Sequence, residues 1–412
     1  MPQFLKLTSP DEALQVFFEQ LPAVKPQAER IKTIDGLGRV LAQNVTSPET
    51  LPAFSRSTVD GYAVRSADTF GANDSLPVYL NLIGEVPMGA APQFALQATQ
   101  TATIHTGGMI PEGTDAVVMI EYSRVARPGE VEIYKAVASG QNIIYADEDL
   151  KPGQQVLSAG TILRPVEIGG LLALGITEIN VNIKPRLGIL SSGDEVVEPH
   201  EAISPGQVRD INSYTLSALI EANGGQAVRY GVVADDPQAL EKRMAQAMRE
   251  CDGVVVTAGS SASTRDLTAE VIDRMGKPGV LIHGVNVRPG KPTILGVCDG
   301  KPAIGLPGNP VSALVIAGIF VVPTVQLLLG ISQARPVPEV SAKLMTNVSS
   351  PDGREVWMPV KLNASPEGYQ ADPIYFKSNL IFNLARADGL MRIPNTATGL
   401  AAGSEVKVTL LQ

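Results

Sequence analysis

From residue 183 to about residue 330 the chain alternates continuously apolar runs with amphipathic ones, and no other feature restricts its fold as much. RLGILSSGDE (186–195) is an apolar strand running into a glycine turn. TLSALIEANGG (215–225) reads as a helix ending at glycine, and AVRYGVVADDP (227–237) as a strand whose Asp-Asp-Pro opens the helix QALEKRMAQAMREC (238–251). GVVVTAGSS (253–261) is a third strand, and DLTAEVIDRMG (266–276) a further helix. Strands apolar on both faces need cover on both faces, so the pattern predicts an open parallel α/β sheet between two helical layers. Such sheets bind ligands beyond the carboxyl ends of their strands.

The flanking sequence has a different texture. Residues 4–24 predict a helix, with Ser9 as N-cap and Pro10 at the first helical position. Short β-like runs between glycines and prolines make 48–140 an all-β segment, and 331–412 a small β-barrel or sandwich. A mixed stretch, 141–182, follows the all-β segment. Residues 311–329 are apolar enough to suggest a membrane span, but Pro323, Gln326 and the preceding Gly/Pro turn favour a buried helix.

At 412 residues the chain exceeds one ordinary domain, and its net charge of −9 argues against a nucleic-acid binder. Two cysteines and no C-x-x-C exclude a disulfide framework and disfavour a structural zinc site. With no secretory signal in the N-terminal residues, a cytoplasmic location is the default, with no membrane association.

Four loops of the α/β region could carry chemistry. Ser191-Ser192-Gly193-Asp194-Glu195 places two carboxylates at a strand end, where a turn with a helix cap is the plainer reading. Thr257 to Asp266, including Gly259, Ser260 and Ser261, offers small residues and hydroxyls to an anion at a helix start, and Asp266 a carboxylate for Mg²⁺. The plainer alternative makes Asp266 a helix N-cap. The loop of Arg288, Pro289, Gly290, Lys291 and Pro292 has no acid between His283 and Cys298, which suits an anionic ligand, although its spacing is not that of a P-loop. Pro307-Gly308-Asn309-Pro310, followed by Ser312, opens the buried helix. Outside this region, Asp60-Gly61 reads by itself as a turn and Asp147-Glu148-Asp149 as a solvated loop; the scattered histidines His105, His200 and His283 show no metal-ligand spacing.

In order, S-T-V-D-G-Y-A, H-T-G-G-x-x-P-E-G-x-D-A-V-V, E-D, S-S-G-D-E, G-S-S-A-x-x-x-D, R-P-G-K-P and L-P-G-N-P-V-S resemble the molybdopterin molybdenumtransferases, the MoeA family, to which the gephyrin E domain is related. The resemblance spans nearly the whole chain. It implies four domains, a mixed domain I with a helical N-terminus (1–47 and 141–182), an elongated β domain II (48–140), an α/β molybdopterin-binding domain III (183–330) and a β-barrel domain IV (331–412). It further implies an elongated homodimer that inserts molybdate into adenylylated molybdopterin and releases AMP with the help of Mg²⁺. Implied partners are the molybdopterin-adenylylating protein of the same pathway and apo-molybdoenzymes or their chaperones. A tungstate-inserting homologue and a non-catalytic gephyrin-like scaffold are the alternatives. Matched position by position, the family's acids and Thr fall on Asp60, Thr106, Asp149, Glu195, Asp235 and Asp266, with Glu195 and Asp266 as metal ligands. The basic pair falls on Arg288 and Lys291, the proline turn on Pro307 and Pro310, and the oxyanion positions on Ser312, Arg354 and Ser378. Asp60 lies far in sequence from the α/β loops, so a partner subunit is expected to complete the site. Departures from the family pattern are Ala258 and Ser263 for glycines, Arg288 for lysine and Lys377-Ser378 for Gly-Ser. A left-handed backbone at Ser263 would cost about 1 kcal/mol.

Overall fold

The computed structural model describes residues 7–23, 25–258, 262–332, 336–350 and 353–411, and only the backbone of 258 and 262–266. The described chain forms two compact units, Asn44–Ser158 with Val166–Thr177, and Met1–Gln43 with Ala159–Pro165 and Glu178–Gln412.

The first unit is built on a six-stranded sheet in the order Ala116–Met119, Gly61–Val64, Gln100–Ile104, Val78–Glu85, Glu130–Ile133, Ser123–Arg127. Its pairings are antiparallel except that of Val78–Glu85 with Gln100–Ile104. Successive side chains of a strand point to opposite faces. Accordingly Tyr62, Val64, Leu80, Val118 and Val131 build one apolar cluster, and Ala63, Ala102, Ile104 and Val117 another.

The larger unit carries the predicted α/β sheet, in the order Gln226–Val233, Arg186–Ser192, Gly253–Ala258, Lys301–Leu306, Ile294–Cys298, Pro278–His283. The first four strands are parallel, and Ile294–Cys298 is antiparallel to both of its neighbours. Apolar residues alternate between two cores. Leu187, Ile189, Val255, Ile304 and Leu306 meet the helices Pro10–Glu19, Asn212–Ala222 and Pro310–Ile316 through Phe17, Leu216 and Ile316. Leu190, Val254, Val256 and Ala303 meet Pro237–Glu250 and Ala262–Met275 through Leu240, Met244, Val271 and Ile272. This two-sided burial is the reason the strands are continuously apolar.

Capping residues set the helix starts. Ser9 accepts from the Glu12 N–H at 3.4 Å, and Asp236 from the Ala239 N–H at 2.8 Å, each just before a proline at the first helical turn. The N-terminal helix is shorter than the sequence suggests, Pro10–Glu19, because Pro22 disfavours helical geometry just before it. Lys301 Nζ donates to the carbonyls of Met248 (2.6 Å) and Cys251 (2.8 Å) at the end of Pro237–Glu250, where positive charge meets the helix's negative pole.

The apolar helix spans Pro310–Leu328, with a π-turn at Ala317–Val321. Ile316, Phe320 and Val325 face the sheet core, while Val311 and Val315 pack on Leu384, Leu390 and Trp357 of the C-terminal region. That region is a closed five-stranded barrel. Glu355–Ser365 pairs with both Gly368–Pro373 and Gly389–Ile393, and the ring closes through Glu339–Leu344 and Glu405–Leu410. The short strand Val287–Arg288 adds to the barrel, parallel to Glu355 and Val356.

Candidate functional site

In the parallel strands Ser192, Val233, Ala258 and Leu306 lie at the same edge of the sheet. Ile294–Cys298 runs the other way, so its start, Ile294, pairs with Gly305 at that edge. Lys291 and the basic loop are thereby delivered to the carboxyl ends of the parallel strands. A cation-bearing loop and the acidic strand-end loops of Glu195 and Asp235, far apart in sequence, belong to one rim.

The acidic side of the rim is organised around Gly193. Its N–H donates to the Val233 carbonyl at 3.1 Å, and its φ of 151° is one that side-chain-bearing residues rarely adopt. A Cβ here would lie 2.7 Å from Glu195 Oε2, so the glycine leaves room for the Glu195 carboxylate to fold back over the strand end. Asp194 Oδ1 accepts from the Asp235 N–H at 3.1 Å, which makes Asp194 a loop brace. Ser192 Oγ donates to Asp235 Oδ1 at 2.8 Å and holds that carboxylate at the same edge. Below them Asp210, 3% exposed, accepts from Ser191 Oγ at 2.9 Å and Ser213 Oγ at 2.6 Å.

Gly259, Ser260 and Ser261 lie outside the described residues. Asp266 is inside the helix Ala262–Met275, beyond its first turn, and is not an N-cap. Its side chain lies outside the description. Ser263 is helical, so the left-handed penalty considered for it does not arise.

On the basic side Arg288 and Lys291 are exposed. The Lys291 carbonyl accepts from the Val285 N–H at 2.9 Å, and the Gly290 carbonyl from Thr293 Oγ1 at 2.7 Å. Pairing of Val287 with Glu355 and of Arg288 with Val356 brings the half-buried Arg354 alongside this loop. Glu355 anchors the junction. It is 4% exposed, and its carboxylate accepts from Arg392 Nη2 at 2.6 Å and from Trp357 Nε1 at 2.7 Å. The proline turn stands at the same rim, with Pro307, Pro310 and Ser312 buried and Gly308 and Asn309 half-buried. The Val311 N–H donates to the Ser378 carbonyl at 3.1 Å, which ties the barrel loop of Ser378 to the start of the helix that carries Ser312.

Asp60, Thr106 and Asp149 belong to the other unit. Asp60 ends the bend at residues 58–60. It precedes the strand Gly61–Val64, and a Cβ at Gly61 would lie 1.9 Å from the Val118 carbonyl oxygen, so the glycine serves a close strand approach. The pairing of Gly61 with Ile104 sets Asp60 level with His105. Asp60 Oδ1 accepts from the Thr106 N–H at 2.8 Å and Thr106 Oγ1 at 3.3 Å, and lies 3.5 Å from His105 Nδ1. The Thr106 amide is the first cause that holds the Asp60 carboxyl below its ordinary range; desolvation opposes it, and the Thr106 hydroxyl and His105 add to the lowering. His105 Nε2 is 3.1 Å from Glu85 Oε1, so the ring stands between two carboxylates. The family resemblance names Asp60 and Thr106 but neither His105 nor Glu85, since the histidine shows no metal-ligand spacing; the H-T-G-G motif is the available signal. Asp149 is exposed on a segment that runs antiparallel to 51–57, through the pairs Leu51 with Leu150 and Arg56 with Ile144. Among the described residues no group of three or more His, Cys, Asp or Glu is gathered to hold a metal ion.

Comparison with known families accounts for most of the chain. The profile of the "MoeA N-terminal region (domain I and II)" matches residues 8–175, that of the "Probable molybdopterin binding domain" residues 188–327, and that of the "MoeA C-terminal region (domain IV)" residues 341–411. The chain is 32% identical to the molybdopterin molybdenumtransferase of Nostoc sp., with 99% of this chain and 95% of that protein covered. It is 31% identical to molybdopterin molybdenumtransferase 2 of Mycobacterium tuberculosis, over 98% and 99% of the two chains. Among solved structures, the molybdopterin biosynthesis MoeA protein from Pyrococcus horikoshii OT3 superposes with a TM-score of 0.85 at 31% identity, over 98% of this chain and 100% of that one.

Proposed function

The chain belongs to the MoeA family of molybdopterin molybdenumtransferases, and from that premise we propose that it inserts molybdate into adenylylated molybdopterin with Mg²⁺-dependent release of AMP. It is a transferase of molybdenum cofactor biosynthesis. The observation that carries the finer reading is the delivery of Lys291, with Arg288 and Arg354, to the rim that holds Glu195 and Asp235.

Molybdate is a dianion and the adenylylated substrate carries phosphates. Two unit charges about 4 Å apart repel by about 4 kcal/mol at an effective dielectric near 20. A protein of net charge −9 needs a local source of positive charge, and Arg288, Lys291 and Arg354 supply it. Arg288 and Arg354 present planar donor forks to oxyanion oxygens, and Lys291 a point charge. Ser312 and Ser378 add hydroxyl donors, and the turn Pro307-Gly308-Asn309-Pro310 shapes the pterin side. Glu195, Asp235 and Asp266 are hard oxygen donors of the kind that suits Mg²⁺, which keeps part of its water shell and shares substrate phosphates, so a full protein cage is not required. Bound there, Mg²⁺ would offset charge on the phosphate that leaves with AMP. Asp60 and Asp149 are the further acids that the family match assigns, and Thr106 a hydroxyl. Homodimeric assembly and a cytoplasmic location, with no nucleic acid or membrane involved, belong to the same reading; the adenylylating protein and acceptor molybdoenzymes or their chaperones would be its partners.

The test is incubation with adenylylated molybdopterin, Mg²⁺ and molybdate, with AMP and pterin-bound molybdenum both measured. Release of neither would overturn the reading. Sedimentation at the mass of one 43.4 kDa chain would overturn the dimer.

A further inference from the structure

Asn212 opens the helix Asn212–Ala222 and is 7% exposed. Its Nδ2 donates to the Gly308 carbonyl at 2.8 Å, within the proline turn. That bond uses the amide's donor end and fixes which end is oxygen. The other end, Oδ1, is buried and has no hydrogen-bond partner among the described residues. Neighbouring contacts hold the residue in place: Asp210 accepts from the Ser213 N–H at 3.1 Å and Ser213 Oγ at 2.6 Å, and the Asn212 carbonyl accepts from Thr215 Oγ1 at 3.1 Å.

A buried acceptor without a donor destabilises a fold, and native interiors leave few of them. Here the orphan sits beneath the turn of Gly308, at the strand-end rim, on a side chain locked from both sides. We propose that Asn212 is a substrate-reading residue, whose Oδ1 accepts an N–H of a bound heteroaromatic ring. The inference rests on the reading of the rim as the site for adenylylated molybdopterin. Both heterocycles of that molecule, the pterin and the adenine, carry N–H donors, so the shared chemistry is a planar ring presenting N–H to a fixed amide oxygen. Such a site rejects an analogue that lacks the donor, because the acceptor is then left unpaired.

Calorimetric titration of the full chain tests this with three ligands: AMP, purine riboside monophosphate (which lacks the amino group) and molybdopterin. If adenine supplies the donor, the unaltered protein binds AMP about tenfold tighter than the purine analogue, and Asn212→Leu and Asn212→Ser lose that preference. If the pterin supplies it, both variants bind molybdopterin about tenfold more weakly and AMP as before. The AMP comparison needs no variant, and thermal melts show whether each variant is folded. Folded variants that bind all three ligands as the parent does, with no AMP preference in the parent, would overturn the assignment while leaving the transferase reading intact. A parent chain that binds none of the three would overturn both.

Discussion

Asp60 and Thr106 stand 46 positions apart, and the Thr106 N–H donates to Asp60 Oδ1 at 2.8 Å. The contact follows from strand pairing, since Gly61 opposes Ile104 and the two chain ends beyond that pair must meet. It fixes a carboxylate in its charged form before any ligand arrives.

The sign of the pH effect follows from that hydrogen bond. The Asp60 carboxyl is held below its ordinary 3.8 by the Thr106 amide first. A carboxyl with a depressed folded pKa contributes stability that is present above the unfolded value and lost as pH falls through the folded one. The difference in melting temperature between the parent and Asp60→Asn should therefore be constant from neutral pH to about 4 and shrink below it. A difference that grows on acidification would contradict the assignment.

Gly61→Ala should be severe. Its Cβ would sit 1.9 Å from a backbone carbonyl that cannot swing away as a side chain can. We expect a loss of about 3 kcal/mol or more in urea unfolding, confined to the unit that contains residue 61. Hydrogen exchange should show faster opening of Ala116–Met119 than of Arg186–Ser192.

Arg392→Met leaves the Glu355 carboxylate buried with only the Trp357 N–H as a donor among its described side-chain partners. Breaking a buried pair costs about 3–5 kcal/mol, and half-exposure of Arg392 reduces this to about 2 kcal/mol. Because Glu355 also registers Val287–Arg288, oxyanion affinity should fall with stability. A stable variant with unchanged molybdate affinity would show that the barrel junction does not position the basic loop.

Lys291→Ala should weaken molybdate use more than it weakens binding of the pterin body, since Lys291 is exposed and its backbone contact survives the substitution. Apparent molybdate and pterin affinities, measured separately, would differ in their response. An unchanged molybdate value would mean that the loop serves another ligand.

Asp266→Ala should leave the melting temperature near that of the parent and remove Mg²⁺-dependent AMP release. Retained Mg²⁺-dependent turnover would remove Asp266 from the proposed metal set.

Much of this protein was legible residue by residue. The apolar runs at 186–192 and 253–258 announced a sheet covered on both faces, and Ser9-Pro10 and Asp236-Pro237 marked two helix starts, because both signals depend on neighbours within one or two turns of chain. The order of motifs pointed to the family in the same way. Only the tertiary structure decided what depends on long-range register. Reversal of Ile294–Cys298 against Lys301–Leu306 brings Lys291 to the acidic rim. Pairing of Glu355–Ser365 with Gly389–Ile393 closes the barrel, and pairing of Val287–Arg288 with Glu355 and Val356 sets Arg354 alongside the basic loop. His105 reaches Glu85 and Asp60, and Asn212 is left with an unpaired oxygen, through contacts between segments that carry no mark of one another in sequence. Local pattern encodes which face of an element is apolar. Which elements then meet is selected by how the apolar faces pack and which backbone groups can pair, and no short window of residues contains that choice.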